Sequence, residues 1–474
     1  MRISTSTLYD ANAAALTQLQ SKLLHTQQQI TSGRRILSPA DDPANAARAL
    51  EISQADATNT QYAANRNEAI RSLSLSEEVL NSVTSLLQDV KTAAVGAGSG
   101  IASASDKRSL AADLRGRMDE LLGLANSTDG IGNYLFSGFQ GKVLPFANGA
   151  SGVQYMADDG QRLIQAGSAR QMIVSDSGSD IFMRIKNGNG TFIAAPASGP
   201  VTLSGSAAIA PDGVTVTIAA PASTSTLVVG ATLTGGGFPA GTTVQSIVNA
   251  TTFVASQAGT PIASPPGTAL QAGAGNTGSG IVSQGVVTSS AAITGHNYQV
   301  TFSVAAGAIT YGVTDTTTGT ALSAGNPYIV GQAIGFDGMQ FNIVGTPANG
   351  DAFSISPSTN ESVFQTIANL IAALGSNGTP TQFTNSLNKA LNGLDRDLEN
   401  VLTVRASLGS RLQELDALQN TGEDLGLQFK QSLSQLQDVD YNKAITDLTR
   451  QQANLQAAQK SYQLVSDLSL FNYL

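Results

Sequence analysis

Glycine and proline are distributed very unevenly along this 474-residue chain, and that constrains it more than any single motif. Residues 141–360 hold 33 Gly and 12 Pro; residues 1–140 hold 9 and 2, and residues 361–474 hold 6 and 1. Inside a helix a Gly costs about 1 kcal/mol and a Pro about 3 kcal/mol. Long helices are therefore confined to the two ends, and the middle must be built from strands and turns. The fold class that follows is α+β and multi-domain: long terminal α-helices forming a coiled-coil or helical rod, with β-rich domains inserted mid-chain.

The N-terminal helix carries Leu16, Leu19, Leu23, Ile30 and Leu37 at three-four spacing, the period of a helix seam that meets another helix. Between Asp10 and Arg34 the only formal charge is Lys22. Such a helix can be enclosed on several sides without stranding an ion in a dry interior. Ser38-Pro39-Ala40-Asp41-Asp42-Pro43 interrupts it, with Asp42 suited to an N-cap and Pro43 to the first helical position. The next helix carries Ile70, Leu73, Leu80, Val83, Leu87 and Val90. A third, which Ser105 is expected to cap, carries Leu110, Leu114, Met118, Leu121 and Ala125. At the other end, one helix holds Val363, Phe364, Ile367, Leu370, Ile371 and Leu374, and a long one holds Leu394, Leu398, Val401, Leu408, Leu412 and Leu415. The last helix places Tyr441, Leu448, Leu455 and Tyr462 seven apart, with Ala444, Ala458 and Val465 in the companion slots and Gln451 as a polar exception. Leu468 and Leu474 extend that apolar face.

Two ends with matching seams should pair. About 40 helical residues span roughly 60 Å, and a two-helix unit of that length buries too little alone to be secure. Leu16, Leu19, Leu23, Ile30, Leu37, Tyr441, Leu448, Leu455, Tyr462, Val465, Leu468 and Leu474 are therefore expected to form a subunit interface. The seams over Leu73–Val90 and Leu398–Leu415 read instead as an ordinary intramolecular core.

In the middle, NYLFSGFQGKVLPF (Asn133–Phe146) reads as a hairpin-like strand pair, and alternating Val/Thr/Ile runs continue to about Pro357. From Val201 to Gly275 the only charge is Asp212, which marks an inserted module. The expected organisation is a terminal helical unit of 1–42 with 430–474, a rod of 43–178 with 361–429, a β-rich domain of 179–200 with 276–360, and an outer β module of 201–275.

Chemistry finds few footholds. The chain has no Cys, so disulfides, thiolate metal sites and cysteine nucleophiles are excluded. Two His, His25 and His296, leave little room for acid/base or metal chemistry near neutral pH; the first reads as packed or polar-partnered and the second as a surface-loop residue. A net charge of −9 argues against nucleic acid or an anionic membrane as partner. No apolar run reaches the roughly 18 residues needed to cross a bilayer, and the first 20 residues lack the pattern of an ordinary secretory signal. Asp438 and Asp440 could be a carboxylate dyad, but a cap and its entry turn is the simpler reading; Asp41 and Asp42 are treated alike. Gly273–Gly278 matches a dinucleotide fingerprint by letter but lacks the strand, helix and acid it requires. Asp176 and Asp180 lack the further oxygens of a Ca²⁺ loop. No catalysis, cofactor or metal is expected.

The segment SGRRILSPADDPANAARAL (Ser32–Leu50) resembles the SGxRI…DDPA region of the bacterial flagellin superfamily. RASLGSRLQELDALQ (Arg405–Gln419) and DVDYNKAITDLTRQQANLQAAQ (Asp438–Gln459) resemble its other end. NYLFSGFQGKVLPF, Asp42-Pro43, SLFNYL (Ser469–Leu474) and GTPANGDAFSISPS (Gly345–Ser358) resemble its hook-associated branch. The resemblance implies a structural axial component of the flagellum, extracellular and exported by the type III apparatus without a cleaved signal. It further implies a ring of copies of this chain between the first hook-associated protein and the flagellin filament, with an export chaperone bound to the C-terminal region beforehand. Two other readings are a filament flagellin and a secreted adhesin or glycan-binding β module.

Overall fold

The computed structural model describes residues 5–467, apart from 100–102, 150–151, 198, 203–206, 219–232, 235–237, 240–241, 243, 250, 260–270, 275 and 377–378. Seven α-helices occur among the described residues: α1 (Thr5–Ser32), α2 (Pro43–Ala97), α3 (Ala104–Ala125), the short α4 (Gly178–Phe182), α5 (Val363–Gly375), α6 (Pro380–Gln437) and α7 (Tyr441–Asp467). The strands all lie between Phe146 and Glu361. The α+β class and the helical ends are thus as the glycine and proline distribution requires. Two compact units form: Met1–Arg71 with Leu163–Met172 and Ser410–Leu474, and Ser72–Arg162 with Ile173–Gly409.

In the second unit, α2 buries Leu73, Leu80 and Leu87 at heptad spacing with Val83 and Val90, and α6 buries Leu394, Val401 and Leu408. The two helices lie side by side. The Arg405 guanidinium donates to Glu77 at 2.6 Å and to the Thr84 hydroxyl at 3.3 Å, and Lys91 pairs with Asp395. The third helix starts one residue after Ser103, not at Ser105. Ser103 accepts from the Asp106 amide at 3.2 Å while its own amide donates to Asp106 at 2.9 Å, so Asp106 at the third helical position selects the cap. The fifth helix begins after Ser362, because Asn360–Glu361 pairs as a short strand with Ile185–Lys186.

Asn133–Phe146 is not a strand pair. It is a chain of turns, closed by Tyr134 N–H to Gly141 at 2.8 Å and Leu135 N–H to Ser127 at 3.0 Å. The first hairpin pairs Phe146–Gly149 with Gly152–Tyr155. Leu135 and Phe136 are both buried, which adjacent residues of a one-sided strand cannot be. Phe136, Phe146, Phe182 and Phe364 form the aromatic cluster that this loop serves, with neighbouring ring centroids 5.4–6.2 Å apart.

The β region holds a five-stranded antiparallel sheet in the order Thr320–Pro327, Ala308–Asp315, Tyr298–Ala305, Ala352–Pro357, Phe192–Pro196. Tyr298, Val300 and Phe302 alternate inward and meet Phe353, Ile355, Phe341 and Ile343 in one core. Further out in sequence, Ile209, Val216, Ile218, Leu233, Val244, Phe253 and Ala255 form a separate small core. Gly199–Thr202 and Gln271–Ala274 pair in register, Thr202 opposite Gln271, so the segment between them leaves and re-enters through neighbouring strands.

Candidate self-association site

The paired terminal helices are the site the sequence singles out. Helices α1 and α7 pack along each other. A cluster of backbone bonds fixes their register. Gly33 turns the chain at φ 71°, where an added Cβ would stand 3.2 Å from the Tyr441 hydroxyl. Arg34 then bridges to Asp438, Arg35 N–H donates to Gln437 at 2.6 Å, and Val439 N–H donates to Gly33 at 2.9 Å. The Arg35 guanidinium reaches the Leu436 carbonyl at 2.8 Å and Asp42 at 3.2 Å.

The Asp41-Asp42 turn has structural work. Asp41 accepts from the Leu37 and Ser38 amides at 2.9 and 2.7 Å, and the His25 ring lies 3.1 Å from its other oxygen. The Ser38 amide above all holds its carboxyl below the usual range. Asp42 caps α2 through the Asn45 amide at 3.2 Å, and the Asn45 side chain is the main reason its carboxyl is also lowered. Asp440 caps α7 through the Lys443 amide at 3.2 Å, and Asp438 accepts from the Ser434 hydroxyl at 2.5 Å. Both pairs of carboxylates are turn-and-cap residues.

The seam itself is half covered. Leu16, Leu19, Leu23, Ile30, Leu37, Leu448, Leu455 and Tyr462 are half-buried, and Tyr441 is exposed. Only the smaller Thr26 and Ala444 are fully buried in the described parts of these two helices. Leu24, Ile445 and Leu464 stand 57%, 52% and 65% exposed. Gln451, the polar exception, has its side-chain carbonyl buried with no hydrogen-bond partner among the described residues. The Val465 side chain, Leu468 and Leu474 lie outside the described residues. The structure brings eight of the other nine onto the α1–α7 pair of a single chain; Leu37, expected on the first helix, lies beyond its end at Ser32, where Gly33 at φ 71° turns the chain.

The remaining sequence candidates resolve as local structure. His296 Nδ1 lies 2.7 Å from Asp315. Asp315 is held at about 2: burial raises its carboxyl, but the His296 hydrogen bond and the Thr317 and Thr318 amides outweigh it. Asp180 pairs with Arg184 at 3.0 Å in the first turn of α4. No group of three or more potential ligands that could hold a metal occurs among the described residues. Contrary to expectation a strand, Gln271–Ala274, does lead into the glycine-rich segment, but Thr277 and Gly278 donate to Asp351 at 2.8 and 3.0 Å and the next described element is the strand Ile281–Val282 rather than a helix. No described helix is long and apolar enough to cross a membrane.

Two residues went unnoticed in the sequence. Arg66, 3% exposed, donates to Gln419 and to the Ala166 carbonyl, both at 2.9 Å, and so pins the strand Leu163–Gly167 to α2 and α6. Asp397, 1% exposed, lies within the apolar stripe of α6. A one-letter reading takes each as a charge on a solvated face; their positions three or four residues from Ala69, Leu394 and Val401 were the available signal.

The two ends of the chain thus form a half-covered helical pair, with all the strands lying between them in sequence. Residues 3–141 match the family described as the bacterial flagellin N-terminal helical region, and residues 271–357 match the D2-like domain of flagellar hook-associated protein 1. More particularly, the chain resembles flagellar hook-associated protein 3. It is 40% identical over 185 residues to that protein of Salmonella typhimurium, a match covering 39% of this chain and 58% of the relative, so little more than half the relative's length is spanned. Among solved structures it is similar to flagellar hook-associated protein 3 of Legionella pneumophila, with 26% identity over 81% of this chain and 98% of that one at a TM-score of 0.62. It is also similar to FlgL of Xanthomonas campestris, with 26% identity over 81% and 99% at a TM-score of 0.60.

Proposed function

We propose that the chain is a non-catalytic structural subunit of the bacterial flagellum that joins the hook to the flagellin filament. What carries this reading is the likeness to hook-associated protein 3 structures over four fifths of the chain, together with terminal helices that cover each other only by half. On this reading 1–42 with 430–474 is the polymerising unit, 43–178 with 361–429 a rod, 179–200 with 276–360 a β domain, and 201–275 an outer module. The seam residues Leu16 to Leu37 and Tyr441 to Leu474 meet sibling subunits in a ring. The first hook-associated protein lies on one side, flagellin on the other, and an export chaperone holds the C-terminal region before secretion without a cleaved signal.

The energetics fit. Burial contributes about 25 cal/mol per Å² of apolar surface, and the two-helix pair forgoes much of this until a neighbour covers its outer face. The test is a strain lacking this chain. Electron micrographs should show hooks without filaments and flagellin released to the medium; normal filaments would overturn the reading.

A further inference from the structure

Asp397 is an acidic side chain in a position built for an apolar one. It sits three residues after Leu394 and four before Val401, both fully buried, on the inner stripe of α6. One carboxyl oxygen has no hydrogen-bond partner among the described residues. The polar group that reaches the carboxyl is the Thr366 side chain of α5.

Among the described residues no cation answers it. Helix α5 (VFQTIANLIAALG) carries no charged residue at all. The short strand Asn360–Glu361 contributes Glu361, a second acid, whose carboxylate is occupied by Asn369 at 2.7 Å and Asn187 at 3.2 Å. Lys186, on the strand paired with it, is exposed and stands in register with Asn360. On α6 itself Arg396 binds Glu399 at 2.6 Å and Asp395 is taken by Lys91. Asp180, on α4, is paired with Arg184. A carboxylate buried without a cation or a full set of donors is strongly disfavoured, so the proton stays on. Burial first, and the Glu361 charge besides, push the Asp397 carboxyl well above its ordinary range, against the smaller opposing pull of Thr366.

We propose that Asp397 is a proton-held latch: as a neutral acid it lets α5 dock on α6, and losing that proton in alkaline medium loosens α5. What α5 holds in place is a large apolar face. Val363, Phe364, Ile367, Leu370, Ile371 and Leu374 are all buried, and α5 also packs on α3. The sign follows from linkage. A carboxyl whose folded-state affinity for a proton exceeds its unfolded one stabilises the fold fully below the ordinary carboxylate range, and that contribution is lost as pH rises through the folded value.

The test uses the full chain. Amide hydrogen exchange across α5 is compared in wild type and Asp397→Asn at each pH, because the ratio of rates at one pH cancels intrinsic exchange chemistry. The ratio of wild type to variant should be near one at about pH 4 and rise at least about tenfold by pH 9, the change produced by one unit of differential proton affinity. A second reading needs no folded variant: infrared spectra of wild type at pH 7 should contain the C=O band of a protonated carboxylic acid, which disappears at alkaline pH together with α5 protection. A flat ratio, or no such band at pH 7, overturns the latch.

Discussion

Leu448→Asp probes the terminal seam most sharply. Complete burial of a leucine side chain is worth about 1.5–3 kcal/mol. Leu448 is half-buried in the α1–α7 pair, so about 1 kcal/mol is realised within the chain and about as much awaits a neighbour. Leu448→Ala should therefore lower the stability of the helical pair by about 1 kcal/mol and weaken incorporation about fivefold. The aspartate adds an enclosed, unpaired charge, at about 3–5 kcal/mol. Incorporation should then fall more than about a hundredfold, since each 1.4 kcal/mol is a factor of ten. The assay complements a strain lacking the chain. It scores the fraction of hooks bearing filaments and the amount of the chain in the medium, with the melting of the Ser72–Gly409 unit as the control for folding. Filament numbers equal to wild type with Leu448→Asp would place this residue outside any contact between copies and refute the reasoning.

Three further outcomes are expected. Gly33→Ala, forced to hold φ near 71° beside Tyr441, should cost roughly 1–2 kcal/mol and lower the melting of the α1–α7 pair in circular dichroism, with the β region unchanged. Replacing residues 203–270 by Asn-Gly should leave the rest folded and assembled. Thr202 and Gln271 are cross-strand neighbours, about 5 Å apart, a gap that a two-residue turn closes; loss of filaments would make the module integral. Asp315, held at about 2 against an ordinary 3.8, favours the folded state above about pH 4 and ceases to do so as pH falls through 2. Asp315→Asn should thus flatten the urea midpoint of the β region across that window while lowering it at pH 7.

Much of this architecture was legible because it depends on short-range rules. Proline at 43 after Asp42, and Asp440 before the last helix, announce helix starts through bonds that span three residues, and the structure contains them. Heptad apolar spacing located the faces of α2 and α6 for the same reason. What escaped depends on contacts distant in sequence. Asn133–Phe146 has strand-like composition, yet the phenylalanine cluster with Phe182 and Phe364 decides its path. Ser103 outcompetes Ser105 through one reciprocal bond to Asp106. Asp397 is acidic in a sequence that reads as solvated helix, and only the uncharged α5 packed over it makes it a buried acid. Arg66 is comparable: its partners lie 100 and 353 positions away.

The central claim is that the two ends of the chain form a helical pair completed only by its siblings. Hydrogen exchange on the isolated chain at high dilution, and again after incorporation into hook–filament junctions, measures this directly. Amides of α1 and α7 should exchange within seconds in the free chain, well ahead of the α2–α6 core, and gain several orders of magnitude of protection on assembly. Ends already as protected in the dilute chain as Leu80 or Leu394, and unchanged on incorporation, would contradict the account.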